Sequence, residues 1–494
     1  MIDINLLRVD KGGNPDVVRE SQRKRGGGAK VAVVDEVIAL DDEWKKARFQ
    51  ADEVNRKINA IGNEIKNLAK AKKKDTPEWD QLQKRKAEAE QEKVEANRIS
   101  DEKENVLHQK LGLIGNLVHD SVIDSSDERN NGLTKSWWPE GRTESAEMEK
   151  RKALGGKDAK GVPGLYSHHE VLERIAGYDS QRGTNVAGHR GYFLTGPGVD
   201  LNLALIHYGL DFLEKRGYTK LWTPYFMKKD LMSKTAQLEE FDEALYKVGE
   251  GSSQSEGDGD EKYLIATSEQ PISAFHAGEW FTEPEKELPK KYAGQSTCFR
   301  KEAGAHGRDT WGIFRVHQFE KVEQFVLTDP EKSWEMHEEM LATAEEFYQS
   351  LGLPYQVVSI VAGALNNAAA KKYDLEAWFP FQNEYKELVS CSNCTDYQSR
   401  CLEIRVGAKK LNDQTKKYVH CLNCTLTATE RTICCILENW QTEEGVVVPP
   451  VLRQYMGGKE FFPFVKELPG GKKGGKGGKG GAEDLAKGVN KMTV

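Results

Sequence analysis

The sequence predicts an α+β protein: an antiparallel sheet flanked by helices, preceded by an N-terminal antiparallel two-helix coiled-coil arm. Three patterns predict it. Apolar residues Val37, Leu40, Trp44, Ala47, Ala51, Val54, Ile58, Ile61, Ile65 and Leu68 recur at alternating steps of three and four, the spacing that keeps one helix face against a partner helix. The stretch Phe299–Phe325, FRKEAGAHGRDTWGIFRVHQFEKVEQF, sets two runs of strand period around a polar connection with Gly304, Gly307 and Gly312, the pattern of a long hairpin. Further on, amphipathic helical segments alternate with short apolar strands.

The 494 residues suit roughly three domains: residues 1–120 with the arm at about 35–117, a main body over 121–468, and a tail over 469–494. Charged residues make up 30%, which suits a soluble protein with a long polar helical part. No apolar window is long enough to span a membrane. The start MIDINLLRVDKGGNPD has acids and no apolar run, so it is not a secretory signal. The eight cysteines are therefore expected to sit reduced, in the cytoplasm. With a net charge of −7, any nucleic-acid contact must come from local basic patches.

Residues 1 to about 30 form a short lead-in ending at Gly26-Gly27-Gly28. The first arm helix follows; KAKKKDTPEW breaks it, with Pro77 at the start of a second, highly charged helix over about Glu78–Leu117. Two helices of this length make a hairpin roughly 55–60 Å long. Such an arm is a spacer, a dimerisation element, or a means of reaching RNA through Lys70, Lys72, Lys73 and Lys74 at its tip.

Residues 120–165 are polar and glycine-rich and read as the linker into the catalytic domain, with Trp137 and Trp138 packing onto that domain. A helix from Val199, apolar at Leu203, Ile206, Leu210 and Leu213, stops at Gly217. The strand Tyr218–Phe226 carries Pro224, which belongs at an edge or a bulge, where a subunit could pair. The 249–260 loop is flexible and acidic. Tyr263–Ala266 delivers Thr267-Ser268-Glu269, either an amine cradle or a helix N-cap. A helix over Glu331–Leu351 and a strand over Tyr355–Val361 follow.

Within the hairpin, strand alternation puts Arg300 with Glu302 on one face and Arg315, His317, Phe319, Lys321 and Glu323 on another. Charges lining a strand pair are not ordinary core, because unpaired burial costs several kcal/mol. They make either a solvated face with ion pairs or a site for a polyanion (Arg300), a flat ring (Phe319) and an amine (Glu323). Near Tyr385–Cys394, a turn or bulge by Ser390 would bring the Glu387 carboxylate and the Ser390 hydroxyl to one cation, a donor set that suits Mg²⁺. Asn423 and Thr425 share a strand face, and Arg431 opens a helix from Thr432 to Trp440, where it can reach back toward a phosphate.

Cys391-x-x-Cys394 and Cys421-x-x-Cys424, with 26 residues between them, have the arithmetic of a four-thiolate zinc site. The second pair, however, lies in a strand-like run that points Cys421 and Cys424 to opposite faces. Buried thiols and no structural zinc are expected.

The 299–325 block resembles motif 2 of class II aminoacyl-tRNA synthetases, in the seryl version. The helix–strand–Pro224 unit resembles motif 1 and the Arg431 segment motif 3, although Ala428 and Thr429 stand where the family often has glycines. The resemblance, to cytosolic-type eukaryotic seryl-tRNA synthetases, covers nearly the whole chain. It implies Arg300 on the ATP α-phosphate and Arg431 on the γ-phosphate, Glu302 at the adenine edge and Phe319 under the ring, with Val316, His317, Gln318, Leu388 and Val389 also at the nucleotide. It implies Mg²⁺ on Glu387 and Ser390, and serine held by Thr267, Glu269, Arg300, Glu323, Asn423 and Thr425. It further implies a homodimer, and an arm that grips the long variable arm of tRNA(Ser), with tRNA(Sec) as a second substrate where present. Three rivals stand beside this reading: activation of threonine or proline, an inactive RNA-binding scaffold, and a zinc-dependent protein. The tail, PGGKKGGKGGKGG after Leu468, is a solvated basic segment that cannot bury a core.

Overall fold

The computed structural model describes residues 1–147, 166–235, 244–249, 261–302, 310–408 and 416–468. The 249–260 loop beyond Gly249, the glycine-bearing centre of the 299–325 hairpin and the tail lie outside these residues. No helix is long and apolar enough to cross a membrane among the described residues.

A short helix, α1 (Pro15–Gly26), leads into α2 (Gly28–Lys70), which pairs with α3 (Pro77–Leu111) to form the arm. Its seam is the expected one: Val37, Ala47, Ala51, Val54 and Ile61 of α2 and Leu82, Ala89 and Leu107 of α3 are buried. Thr76 caps α3, accepting the Trp79 N–H at 3.3 Å with Pro77 in the first turn. The helix ends at Leu111, six residues short of the expected Leu117. Beyond it the backbone donors of Gly115 and Asn116 go to Gln22 and Asn367 instead of to a further helical turn.

The body that follows the arm is built on one eight-stranded sheet. Its strands, numbered along the chain, are β1 (Gly132–Trp137), β2 (Thr219–Trp222), β3 (Lys290–Phe299), β4 (Gln318–Thr328), β5 (Tyr355–Ser359), β6 (Lys371–Phe379), β7 (Glu384–Asn393) and β8 (His420–Ala428). The order is β1-β5-β6-β7-β8-β4-β3-β2, antiparallel except for the β2–β3 pair. Three helices, α4 (Pro197–Glu214), α5 (Ser333–Ser350) and α6 (Thr429–Asn439), share one apolar cluster with Val322, Leu375, Val389 and Leu426 of the sheet. They cover one face, and alternation leaves Glu323, Asn423 and Thr425 on the other.

Several expectations change in detail. Residues 120–165 are not simply a linker, because they supply the edge strand β1. Trp137 does pack as expected, stacking on Tyr355 with centroids 5.8 Å apart. Helix α4 starts at Pro197, and Leu203 is 47% exposed while Leu201, Ala204 and Leu205 form the buried face. Gly217 takes the left-handed conformation, φ +83°, just past the helix end. The strand expected over Tyr218–Phe226 breaks at Pro224, which has no N–H for a ladder. Phe226–Lys228 crosses to a separate three-stranded sheet. Trp222, on edge strand β2, and Phe226 are 69% and 52% exposed.

Candidate active site

On the sheet face opposite the three helices lies a cleft of about 430 Å³. Thr267, Glu269, Arg300, Glu302, Val316, Phe319, Glu323, Glu387, Leu388, Ser390, Asn423, Thr425 and Arg431 all line it. Residues separated by up to 164 positions thus meet around one space, because β4 sits between β3 and β8 and β7 adjoins β8.

Arg300 and Glu302 reach the cleft from a different backbone than expected. Strand β3 ends at Phe299, the Arg300 N–H closes the ladder on the His317 carbonyl at 2.9 Å, and Glu302 turns left-handed at φ +48°. Arg315 and His317 likewise precede β4. His317 and Gln318 line a second cavity of about 380 Å³, which Phe319 also borders. The Val389 side chain is buried in the helix-side apolar cluster. The side chains of these three residues therefore do not line the main cleft.

One set of groups in the lining is cationic and aromatic. The Arg300 guanidinium lies 5.2 Å from the Phe319 ring centroid, and that of Arg431 lies 5.0 Å from Phe314. Arg431 stands in the first turn of α6 and donates Nη1 to the Glu387 carbonyl at 3.1 Å. Its neighbour Glu430 is buried and ties three elements together. Its carboxylate accepts from the Glu320 N–H, the Tyr192 hydroxyl and the Thr429 hydroxyl, each at 2.9 Å. Burial pushes its carboxyl up to about 7, against the pull of those donors.

The expected bulge exists. Opposite β6, Leu375 pairs with Val389 but Glu376 pairs with Glu387, so Leu388 is the extra residue. Alternation alone would send Glu387 to the helix side with Val389; the bulge turns it to the cleft with Ser390. Loss of hydration opposes the Glu387 charge, but Arg431, Lys372 and Arg300 hold its carboxyl below the ordinary value. Beside it, burial and then the Glu387 charge push the Asp374 carboxyl up to about 7, and its Oδ1 is buried without a donor. Carboxylate and hydroxyl oxygens with one orphaned acceptor fit a hard cation such as Mg²⁺.

A second set of groups in the lining suits a small zwitterion. The Glu269 Oε1 accepts from Asn423 Nδ2 at 3.0 Å and from Gln398 Nε2 at 2.7 Å. Thr267 accepts the Glu269 N–H at 3.3 Å. Glu323 and Thr425 are register partners on β4 and β8, and the Thr425 hydroxyl donates to Glu323 at 3.2 Å. Lys321 forms an ion pair with Glu323, both almost fully buried. Sequence reasoning gave Lys321 no role, although alternation had placed it on the face of Glu323. Phe314, Gln398 and Glu430 carried no local signal at all.

The cysteine pairs divide between the sheet faces. Cys391 and Cys424 face each other across β7 and β8 within the helix-side cluster, while Cys421 belongs to the apolar cluster of the other face. Cys421 and Cys424 therefore point apart, as alternation predicts.

Residues 1–118 match the family described as "Seryl-tRNA synthetase N-terminal domain", and residues 246–440 match "tRNA synthetase class II core domain (G, H, P, S and T)". The cytoplasmic serine–tRNA ligase of Schizosaccharomyces pombe is 59% identical over 479 residues, covering 95% of this chain and 98% of that protein. The chain belongs to the seryl-tRNA synthetase family. The cytoplasmic serine–tRNA ligase of Saccharomyces cerevisiae is 56% identical, covering 95% of this chain and 97% of its own. Among solved structures, the cytoplasmic serine–tRNA ligase of Naegleria fowleri in complex with AMP superposes with a TM-score of 0.77 at 48% identity, covering 94% of this chain and 99% of that one. The seryl-tRNA synthetase of Pyrococcus horikoshii complexed with ATP gives 0.78 at 38% identity, covering 94% and 100%. As a seryl-tRNA synthetase family member, the chain has the class II sheet, with its cleft on the face away from α4, α5 and α6.

Proposed function

We propose that this chain is a serine–tRNA ligase of the cytoplasm, which activates L-serine with ATP and transfers it to the 3′ end of tRNA(Ser). The observation that carries the reading is the make-up of the cleft lining: two guanidinium groups beside aromatic rings, together with carboxylates held by amide and hydroxyl partners.

In this reading Arg300 holds the α-phosphate and the serine carboxylate, and Arg431 holds the γ-phosphate. Phe319 lies under the adenine and Glu302 meets its edge. Val316, His317, Gln318, Leu388 and Val389 contact the nucleotide through backbone wherever their side chains face elsewhere. Glu269 takes the serine amine with Thr267, Glu323 accepts the hydroxyl, and Asn423 and Thr425 close the pocket. The serine carboxylate attacks the α-phosphorus in line and pyrophosphate leaves. Charge builds on phosphoryl oxygens, so fixed cations carry the catalysis and no side chain has to move a proton. Mg²⁺ held by Glu387 and Ser390 would neutralise charge on the phosphates. The terminal ribose hydroxyl of the tRNA then attacks the carbonyl carbon of the seryl-adenylate, the acyl–phosphate bond breaks, and AMP leaves with the hydroxyl proton.

The same reading assigns residues 1–120 to tRNA binding, 121–468 to catalysis and 469–494 to a basic tail. Lys70, Lys72, Lys73 and Lys74, all exposed at the arm tip, meet the long variable arm of tRNA(Ser), and of tRNA(Sec) where present. The exposed Trp222, on the edge strand β2, and Phe226, just beyond Pro224, suit a homodimer interface. No structural zinc enters this scheme, since the thiols point to opposite faces. Purified protein given ATP, serine and tRNA(Ser) should release AMP and form seryl-tRNA. Formation of AMP without charged tRNA, or no AMP at all, would contradict the reading.

A further inference from the structure

Residues 366–370 lie between the sheet strands β5 and β6 and give Asn366 and Ala368 to the lining of the cleft. Five consecutive carbonyl oxygens of this segment accept hydrogen bonds from the N-terminal region. Arg25 donates Nη1 to Asn366 at 2.9 Å and Nη2 to Ala369 at 2.5 Å. Asn116 donates its backbone N–H to Asn367 at 2.7 Å and Nδ2 to Ala368 at 2.8 Å, and the His119 N–H goes to Ala370 at 3.0 Å.

Arg25 is only 6% exposed, and its third donor, Nε, goes to the Asn116 carbonyl at 2.8 Å. A buried cation is expensive unless it is well hydrogen-bonded, and here all three guanidinium nitrogens donate, bridging two segments 250 residues apart in sequence. Gly115 allows it: a Cβ there would stand 2.9 Å from the Arg25 Cδ. Asn116 Nδ2 also donates to the Cys394 carbonyl at 2.8 Å, close before Gln398, the Glu269 partner.

We propose that Arg25 and Asn116 are positioning residues for the amino-acid pocket, so that the root of the N-terminal arm helps to set serine affinity. The inference rests on the assignment of the Glu269 and Asn423 end to serine. Without the two side chains, the carbonyls of Asn366, Ala368 and Ala369 lose their donors and must turn toward water, and the cleft lining at Asn366 and Ala368 moves.

The test is serine- and ATP-dependent pyrophosphate exchange by the full-length enzyme carrying Arg25→Met, Arg25→Lys or Asn116→Ala. Arg25→Met removes all three donors but touches the pocket only through the cleft lining, and should raise the serine KM about tenfold while leaving the ATP KM within about twofold. Arg25→Lys, which keeps the charge and can reach part of the carbonyl set, should fall between it and wild type. Asn116→Ala should shift the serine KM in the same sense and carries the test if Arg25→Met does not fold. Faster amide hydrogen exchange across 366–370 in the variants would support a moved wall. Serine and ATP KM values that rise together, or do not move in folded variants, would overturn the proposal. Wild-type protein that shows no serine-dependent exchange would instead overturn the functional assignment.

Discussion

Arg431 and Glu387 meet at the mouth of the cleft, with Nη1 donating to the Glu387 carbonyl at 3.1 Å and standing 3.6 Å from its carboxylate. The cation assigned to the γ-phosphate and the anion assigned to Mg²⁺ therefore neutralise each other until ATP arrives. The triphosphate and its metal can exchange places with this pair without leaving a bare charge.

The account makes Arg300 and Arg431 the fixed cations of the activation step. Arg300→Ala or Arg431→Ala should lower the rate of pyrophosphate exchange by about 10²–10³, the effect of removing one preorganised donor. Thermal melting should separate this from unfolding, since both guanidinium groups lie at the cleft and not in the helix-side core. Exchange within tenfold of wild type would refute the phosphate roles.

Thr425 donates to Glu323 across β4 and β8. Thr425→Val keeps the shape and removes the donor. The serine KM should rise about tenfold, with ATP affinity unchanged. An unaltered serine KM would mean that this end does not hold the amino acid.

The distal arm has a small core of Ile61, Leu82 and Ala89 and exposed cross-helix ion pairs such as Lys57–Glu92 at 2.7 Å, which contribute little each. Excising the hairpin between Asp52 and Glu95 leaves the packing of Val37, Leu107 and Leu111 at its root. Exchange should persist while charging of tRNA(Ser) is lost. Replacing Lys70, Lys72, Lys73 and Lys74 by Ala should weaken tRNA binding and flatten its salt dependence. Normal charging by the truncated enzyme would make the arm a spacer.

Glu430 predicts a pH effect on stability. Its folded carboxyl stands at about 7 against an ordinary 4.5, so the native state binds the proton more tightly than the unfolded chain. Its contribution is full below about 4.5 and is lost as pH rises through 7. Relative to wild type, Glu430→Gln should therefore gain stability from pH 5 to pH 8, by on the order of 2–3 kcal/mol. A wild-type-minus-variant difference that is flat with pH would show that the three donors keep Glu430 ionised.

What the sequence revealed depended on how local the signal was. The α2 seam, the bulge by Ser390 and the strand alternation of Asn423 and Thr425 are written within a few residues, and each has its expected form. Arg300 and Glu302 line the cleft, but from a backbone other than the expected strand. The alternation of FRKE resembles a strand, but the turn at Glu302 is set by tertiary contacts that no short window contains. Glu430 and Gln398 were missed because their partners lie at Glu320 and Glu269, more than a hundred residues away. The segment 366–370 was invisible for the same reason: its hydrogen-bond donors come from the other end of the chain.

The most direct test of the central claim is amino-acid-dependent ATP–pyrophosphate exchange with serine, threonine, alanine and proline under one set of conditions. A pocket built around Glu323 and Thr425 to hydrogen-bond a hydroxyl should reject alanine by several orders of magnitude, and serine should give the highest exchange of the four. Serine giving no more exchange than the other three would contradict the account.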